Sequence, residues 1–267
     1  MQFAENTGPV DASSLSVEID GRIAVVTLNR PDVRNAINPE LAHELEAMVA
    51  RLEADPDIRI AIITGAGPSA FCAGADLREV AAGRLDEIFT ESGGFAGFVD
   101  APRRKAWIAA VNGIALAGGF EIVLACDLVI ASRTAKFGLP EVKRGLIASA
   151  GGLYRLPRAL PKAIALEIIL TGEAIPAERA YELGLVNRIA EDREALSEAK
   201  LLASKICENA PLAVSASLEI ARAASFFIDA GLRNAGTKLQ AQLQRTEDYA
   251  EGSRAFLEKR PPRWRGS

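Results

Sequence analysis

Hydrophobic and polar positions near the start of the chain alternate with a period of two. In residues 15–20 every second side chain is apolar, the dipeptide Asp20-Gly21 ends this segment, and residues 23–28 are mostly apolar. Side chains of a strand point alternately to its two faces, and Asp-Gly is a preferred two-residue turn. The pattern therefore predicts a β-hairpin. Residues 1–14 before it are small and polar, and we expect a loose arm there.

A second period, of three to four residues, begins after Asn38. The apolar positions of this period are Leu41, Leu45, Met48, Val49 and Leu52. This spacing predicts an amphipathic helix, with Asn38 as its N-cap and Pro39 as its first residue. His43 lies on the polar face of that helix, so we expect it to be exposed.

Further along, strand and helix patterns take turns. Ile58–Thr64 is rich in isoleucine, as a strand buried on both faces would be. Ala106–Val111 predicts a strand, Gly119–Cys126 a helix and Leu128–Ala131 another strand. This alternation predicts an α/β architecture with crossover connections.

The segment 82–102 allows two interpretations. It contains several glycines and carries Phe89, Phe95 and Phe98. These features fit a mobile segment that helps to shape an apolar pocket, and they fit an ordinary surface helix and loop equally well.

Helical periodicity dominates from residue 161 onward. Ala177–Leu183 predicts a helix ending at Gly184, with Leu185-Val186 as a short strand after it. Pro211–Phe227 and Ala235–Leu257 predict two long helices. A soft domain boundary is expected near residue 205.

Composition restricts the chemistry. The 267 residues are 49% hydrophobic and 25% charged, which fits one large globular domain or a domain with an appendage. His43 is the only histidine, which excludes most Ser-His-Asp and His-metal schemes. The net charge is 31 − 35 = −4, and without a long basic arm we expect neither nucleic acid nor a membrane as a partner.

The cysteines and the N-terminus suggest a compartment. Cys72, Cys126 and Cys207 are odd in number and lack CxxC spacing, so we expect reduced thiols. No secretory leader or Arg-rich presequence is visible, and no apolar stretch is long enough to span a bilayer. The expected location is cytoplasmic.

Two glycine-containing turns follow predicted strands and precede helices. Gly118-Gly119 opens one helix, and the segment 74–76 precedes another, with Asp76 suited to cap it. Helix starts present unpaired N–H groups, and a missing side chain lets a ligand oxygen approach the backbone. The turns are therefore candidates to hold a developing negative charge, although tight helix packing alone also explains the glycines.

Glu121 follows the Gly118-Gly119 turn, and Glu141 lies beside a further glycine-containing turn, residues 137–141. Glu121 has apolar neighbours, so burial would raise its pKa into a range useful for proton transfer. The alternatives are a glutamate that complements a helix dipole and, for Glu141, a surface charge paired with Lys143 or Arg144. A basic C-terminal cluster, residues 259–265, is either a solvated tail or a phosphate contact.

These motifs closely resemble the enoyl-CoA hydratase/isomerase (crotonase) family over roughly residues 17–265. The matching segments are 27–31 with 35–36, 71–77, 112–121, 126–127, 137–141, 151–157, 170–172, 184–186 and 256–260. The resemblance implies a spiral core of ββα units, residues 1–205, and a C-terminal α-helical region, residues 206–267, that builds a homotrimer or a dimer of trimers. It also implies an acyl-CoA substrate, with coenzyme A part of that substrate and no metal or other cofactor.

Site residues are implied by position. Ala75 and Gly118 match the backbone donors of an oxyanion hole for the thioester carbonyl, and Glu121 and Glu141 match the two carboxylates that hydratases use. Further substrate contacts are implied at Arg34, Ala36, Ala73, Asp76, Leu77, Arg78, Ser149 and Lys259.

The implied activity is hydration of a trans-2-enoyl-CoA to a 3-hydroxyacyl-CoA, because both carboxylates are present. Alternatives are a carnitinyl-CoA dehydratase, which residues 151–157 also resemble, and an enoyl-CoA isomerase. An RNA-binding family member is disfavoured by the acidic segment 40–57. The sequence departs from the family pattern at two positions. Ala117 replaces the first of three glycines that are common in the family, and Ser149 replaces a glycine that many short-chain hydratases place near the reacting water.

Overall fold

The computed structural model describes residues 14–224 and 229–267, so the expected arm lies almost wholly outside the described residues. The strands are β1 (Leu15–Asp20), β2 (Ile23–Leu28), β3 (Ile60–Gly65), β4 (Ala70–Cys72), β5 (Phe89–Thr90), β6 (Gly94–Phe95), β7 (Ala106–Val111), β8 (Ile114–Leu116), β9 (Leu128–Ser132), β10 (Lys136–Gly138), β11 (Ile175–Pro176) and β12 (Arg188–Ala190). The α-helices are α1 (Pro39–Ala54), α2 (Leu77–Ala81), α3 (Gly118–Ala125), α4 (Gly152–Ala159), α5 (Lys162–Thr171), α6 (Ala177–Glu182), α7 (Ala195–Cys207), α8 (Pro211–Ala223), α9 (Asp229–Leu243) and α10 (Glu247–Leu257). Short 3-10 helices span Pro31–Val33, Leu85–Ile88 and Pro140–Arg144.

Two sheets share a repeating connection. The larger has the strand order β1-β2-β3-β7-β9-β12, and its neighbours run parallel except in the β1–β2 hairpin. The smaller has the order β11-β10-β8-β4, in which β4, β8 and β10 are parallel. The units β3-β4-α2 and β7-β8-α3 each place one strand in each sheet before a helix. This topology is the spiral of ββα units that the family resemblance implied, and it confirms the α/β architecture that the alternating patterns predicted.

The larger sheet is buried on both faces, as the isoleucine-rich segment predicted. Ala61 and Ile63 of β3 belong to the core that includes the apolar stripe of α1. Ile60 and Ile62 belong instead to a second core, which includes alanines at every fourth position of α7: Ala195, Ala199 and Ala203. Small side chains at that spacing let the helix approach the sheet closely.

The hairpin and the first helix are confirmed. Strands β1 and β2 pair antiparallel from Leu15 opposite Leu28 to Asp20 opposite Ile23. The side chain of Asn38 accepts a hydrogen bond from the Leu41 amide at 3.1 Å, which caps α1 as expected. His43 is exposed on α1, as predicted.

The short strand predicted at Leu185-Val186 is wrong. The Leu185 amide donates to the Ala180 carbonyl at 2.9 Å, and the Gly184 amide donates to the Tyr181 carbonyl at 3.0 Å. These two bonds close the end of α6 as a Schellman motif around Gly184, which has φ = +82°. The strand, β12, begins only at Arg188.

The single helix predicted over Ala235–Leu257 is also wrong. The helix is interrupted between α9 and α10. The Thr246 side chain accepts a hydrogen bond from the Tyr249 amide at 3.2 Å and so caps the start of a new helix. Part of the helix predicted over Pro211–Phe227 is α8; residues 225–228 lie outside the described residues. Residue 205, the expected boundary, lies within α7. Within the described residues, no helix is both long and apolar enough to cross a membrane.

Candidate active site

The candidate site lies where three parallel strands of the smaller sheet end. Strands β4, β8 and β10 are neighbours, so the segments that follow them emerge at one edge of that sheet. Those segments carry Ala75, the pair Gly118 and Glu121, and Glu141, respectively. Distant parts of the sequence thus converge because the strands that precede them are paired.

The turn after β4 is held by charge and by backbone bonds. Asp76 is buried, its carboxylate accepts from the Arg78 amide at 3.1 Å, and it pairs with Arg30 at 3.1 Å. The backbone of Ile37 holds both sides of the turn. Its amide donates to the Gly74 carbonyl, and its carbonyl accepts from the Asp76 amide, each at 2.8 Å. Asp76 therefore caps α2 and orients the turn, as expected.

The turn after β8 packs directly against it. A Cβ added to Gly74 would lie 3.0 Å from the Gly118 nitrogen, and one added to Gly119 would lie 2.1 Å from the Cys72 carbonyl oxygen. Gly118 is the first residue of α3, where an N–H has no partner within the helix. Among residues 14–224 and 229–267, neither the Ala75 amide nor the Gly118 amide is hydrogen-bonded. Two adjacent free donors remain, as an oxyanion hole requires.

Glu121 is a buried carboxyl with one firm hydrogen bond. Its side chain is on the first turn of α3 and the residue is only 3% exposed. Its Oε1 accepts from the Gly152 amide at 2.9 Å. Burial raises the pKa of Glu121 to about 7, with a smaller raising effect from Glu141 and an opposing effect from the Gly152 amide. A carboxyl with such a pKa can gain or lose a proton near neutral pH.

Glu141 is less enclosed. It lies at the start of the 3-10 helix Pro140–Arg144, and its residue is half-buried. Burial raises the pKa of Glu141 too, while its own backbone amide and the charge of Arg144 lower it. Its buried Oε2 has no hydrogen-bond partner within the described chain. Lys143, one of the two partners considered for Glu141, pairs with Glu173 instead.

A cavity of about 510 Å³ joins these groups. All but one of the site residues implied by the family resemblance line it: Arg34, Ala36, Ala73, Ala75, Asp76, Leu77, Arg78, Gly118, Glu121, Glu141 and Ser149. Lys259 is not among the lining residues, and its contact with substrate stays a prediction. In the basic C-terminal cluster, Arg260 pairs with Glu251 at 2.6 Å, and Arg265 pairs with Glu247 at 2.9 Å.

The phenylalanine-bearing segment contributes unequally. Phe89 and Phe95 line the cavity and contact each other edge to face, with ring centroids 5.5 Å apart. Phe98 is fully buried and packs on Trp107 instead. Sequence reasoning about this segment could not separate the three, because the turn at β5 and β6 determines which rings face the cavity.

Sequence reasoning missed two contributors to the site. Gly152 supplies the amide that Glu121 accepts from, and Arg144 lines the cavity beside Glu141. Gly152 carried a signal, because a glycine pair lies at the start of α4 as it does at the start of α3: Gly151 is the N-cap of α4 and Gly152 its first residue, whereas Gly118 and Gly119 are the first two residues of α3. The sequence alone indicates Arg144 only as an ion-pair partner of Glu141.

The ββα spiral, with two free amides and two carboxyls at its strand ends, has the features that the resemblance to the crotonase class of enzymes implied. A sequence profile described as enoyl-CoA hydratase/isomerase matches residues 18–267. The chain belongs to this family.

Similar proteins of known name indicate the type of reaction within this family. The chain is 41% identical to a carnitinyl-CoA dehydratase of Proteus mirabilis over 260 residues, which are 96% of this chain and 99% of the relative. It is also 41% identical to an (E)-benzylidenesuccinyl-CoA hydratase of Thauera aromatica over 259 residues, covering 95% and 99%. An enoyl-CoA hydratase structure from Mycobacterium tuberculosis H37Rv matches with a TM-score of 0.92 at 44% identity, covering 96% of this chain and 100% of that one. Family and relatives together indicate an enzyme of the hydratase or dehydratase type.

Proposed function

We propose that the protein hydrates a trans-2-enoyl-CoA to a 3-hydroxyacyl-CoA. One observation carries this proposal: the free amides of Ala75 and Gly118 and the carboxyls of Glu121 and Glu141 line the same cavity. The two amides would donate hydrogen bonds to the thioester oxygen, and the two carboxyls would hold a water beside the double bond.

The chemistry follows from where charge develops. Attack of water on the β-carbon moves electrons onto the thioester oxygen, which becomes an enolate. Two fixed N–H donors stabilise that oxygen, and removing one donor from such a hole typically costs ~2.7–4 kcal/mol. One carboxylate takes a proton from the water, a carboxyl group protonates the α-carbon, and the product carries H on Cα and OH on Cβ. These steps use no metal and no redox cofactor.

The test is an assay with crotonyl-CoA that follows the absorbance of the conjugated thioester. Hydration predicts a loss of that absorbance and formation of 3-hydroxybutanoyl-CoA. Activity only on a 3-enoyl-CoA, with a gain of absorbance, would instead support the isomerase alternative.

The carnitinyl-CoA dehydratase alternative depends on the charge of the acyl tail. Glu141 and Arg144 stand three residues apart in a 3-10 helix, a spacing at which side chains eclipse. Arg144 lines the cavity and forms no salt bridge with any other described residue. A positive charge there disfavours the quaternary ammonium tail of crotonobetainyl-CoA and favours a neutral or carboxylate-bearing tail.

A panel of three substrates tests this choice: crotonyl-CoA, crotonobetainyl-CoA and a 2-enoyl-CoA with a terminal carboxylate. We expect crotonobetainyl-CoA to be the poorest, and Arg144→Leu to improve its relative kcat/KM by about fivefold, equivalent to about 1 kcal/mol. Arg144→Lys, which keeps the charge, is the matched control. If crotonobetainyl-CoA were the best substrate of the unmodified enzyme, the dehydratase assignment would replace ours.

Partners and assembly are part of the proposal. We propose a homotrimer or a dimer of trimers, which sedimentation velocity would distinguish from a monomer. RNA binding is disfavoured by the acidic segment 40–57, and retardation of RNA at physiological salt would revive it. We also propose a cytoplasmic location.

A further inference from the structure

We propose that Arg155 is a positioning residue that holds the Gly152 amide against Glu121. The inference rests on the proposed role of Glu121 in moving a proton. It adds a residue that does not line the cavity and acts through the backbone of residues 150–152.

The Arg155 side chain links two segments that are far apart in sequence. Its Nη1 donates to the Ala150 carbonyl at 3.0 Å, and its Nη2 donates to the Val99 carbonyl at 2.7 Å. Nη2 also contacts the Asp100 carboxylate at 3.1 Å. The Arg155 side chain is 22% exposed, so most of it is shielded from water. A planar guanidinium with several fixed donors suits such a bridge, and a lysine ammonium does not reproduce it.

The conformation of Gly151 leaves room for the Arg155 side chain beside the loop of residues 150–152. Its φ is +121°, a conformation that residues with a side chain rarely adopt. A Cβ added at Gly151 would lie 2.0 Å from Nη1 of Arg155, so the guanidinium fills the space that a side chain would take. The Arg155 amide also donates to the Gly151 carbonyl at 2.8 Å. The arginine is thus tied to the loop by both its side chain and its backbone.

The next residue makes the contact that matters for chemistry. The Gly152 amide donates to Oε1 of Glu121 at 2.9 Å, and a Cβ on Gly152 would lie 2.9 Å from Cδ1 of Leu139. The loop therefore has little room to shift while keeping that bond. If Arg155 no longer anchors Ala150, we expect the Gly152 donor to move away from the carboxyl.

Loss of the Arg155 bridge should raise the pKa of Glu121. The Gly152 amide and the charge of Arg155 both lower the pKa of Glu121, against the larger raising effect of burial. Loss of either makes Glu121 hold its proton to higher pH. The limb of the pH–rate profile that belongs to Glu121 then moves to higher pH, whether this residue acts as acid or as base.

The experiment compares Arg155→Gln, Arg155→Lys and the control Arg158→Gln, which changes an exposed arginine one turn further along α4. The first readout is the titration of the Glu121 carboxyl by 13C NMR in glutamate-labelled protein, with its resonance identified by its absence in Glu121→Gln. The second is the pH dependence of kcat. We expect an upward move of about one pH unit in Arg155→Gln, a smaller one in Arg155→Lys, and none in Arg158→Gln.

The outcomes separate this proposal from the proposed function. The NMR titration needs no turnover, so an upward move in both Arg155→Gln and the charge-keeping Arg155→Lys supports the positioning role, and in an inactive protein it does so while counting against hydration. An unmoved titration in folded Arg155→Gln overturns the positioning role even if hydration is observed. If Arg155→Gln does not fold, Arg155→Lys decides: a titration identical to that of the unmodified protein would show that charge alone, and not the bridge, acts on Glu121.

Discussion

The two sides of the cavity use the same kind of side chain in different surroundings. We call residues 117–121 the inner wall and residues 140–144 the outer wall. In the inner wall Glu121 is almost fully buried and accepts a hydrogen bond from the Gly152 amide. In the outer wall Glu141 is half-buried and lies beside the charge of Arg144. Burial, and not residue type, thus gives the two carboxyls different affinities for a proton, as a site that both takes and gives protons requires.

The walls also differ in how much backbone they expose. The inner wall contains two glycines, Gly118 against the Phe95 ring and Gly119 against the Cys72 backbone, and it offers a free amide to the cavity. The outer wall begins with Pro140, which has no amide hydrogen, and offers charged side chains instead. Under the proposed function, the inner wall would stabilise the oxyanion and the outer wall would influence the preferred charge of the acyl tail.

The largest expected effect is on turnover. Glu121→Gln and Glu141→Gln keep the shape of each side chain but cannot transfer a proton, so each should lower kcat on crotonyl-CoA by at least ~10². Binding of a saturated acyl-CoA, measured by calorimetry, should change little in either variant. Turnover at the unmodified level in both variants would remove the acid–base assignment.

The pH dependence of the free energy of unfolding should distinguish the two walls. Native Glu121 keeps its proton up to a pKa of about 7, whereas its ordinary value is 4.5, so the native state binds more protons between these pH values. Stability is then greatest below pH 4.5 and falls as the pH rises towards 7. Glu121→Gln removes this loss, and at pH 8 it should raise the free energy of unfolding by about 3 kcal/mol relative to the unmodified protein, with little gain near pH 4.5.

The matched variant for that measurement is Glu141→Gln, which should gain less because Glu141 is only half-buried. Denaturant titrations at one fixed protein concentration, between pH 4.5 and 8, would check both variants. A pH-independent effect of Glu121→Gln would contradict the ionisation argument.

A smaller effect is expected from crowding the free amide of the inner wall. A Cβ at Gly118 would lie 2.3 Å from Cζ of Phe95, so Gly118→Ala must displace either the ring or the amide. We expect kcat/KM to fall by about tenfold, equivalent to about 1.4 kcal/mol. The double variant Gly118→Ala with Phe95→Leu should recover part of the loss. No recovery would mean that the ring is not the obstacle.

The smallest effect concerns Ala117, the departure from the usual glycine. It has φ = +51° and ψ = −130°, a strained backbone conformation for a residue with a side chain. We expect Ala117→Gly to raise the free energy of unfolding by about 1 kcal/mol and to change kcat by less than about twofold. Denaturant unfolding and the crotonyl-CoA assay would measure both. A destabilised variant would show that the alanine is not strained.

Local signals were readable where one residue decides one element. Asn38 capped a helix as predicted because its side chain needs only the amide of Leu41, three residues away. The turns at Gly74 and Gly118 were readable because close backbone approach requires glycine. That both turns meet in one cavity came from the family resemblance, because the pairing of β4 with β8 has no signal in either segment alone.

The missed features depend on competition between neighbours. Leu185 and Val186 are good strand residues, but Gly184 favours closure of the preceding helix, and that closure uses the amide of Leu185. The hydrophilic segment after residue 235 reads as one helix unless Thr246 is given weight as a cap. The Arg155 bridge joins residues more than fifty positions apart, and periodicity cannot reveal such a contact.

A crystal structure of the protein with butanoyl-CoA, a saturated and unreactive substrate analogue, tests the central claim most directly. We predict that the thioester oxygen lies about 3 Å from the amide nitrogens of both Ala75 and Gly118. We also predict a water between the Glu121 and Glu141 carboxyls beside Cβ of the acyl chain. A thioester oxygen bound elsewhere, or carboxyls turned away from Cβ, would contradict the account.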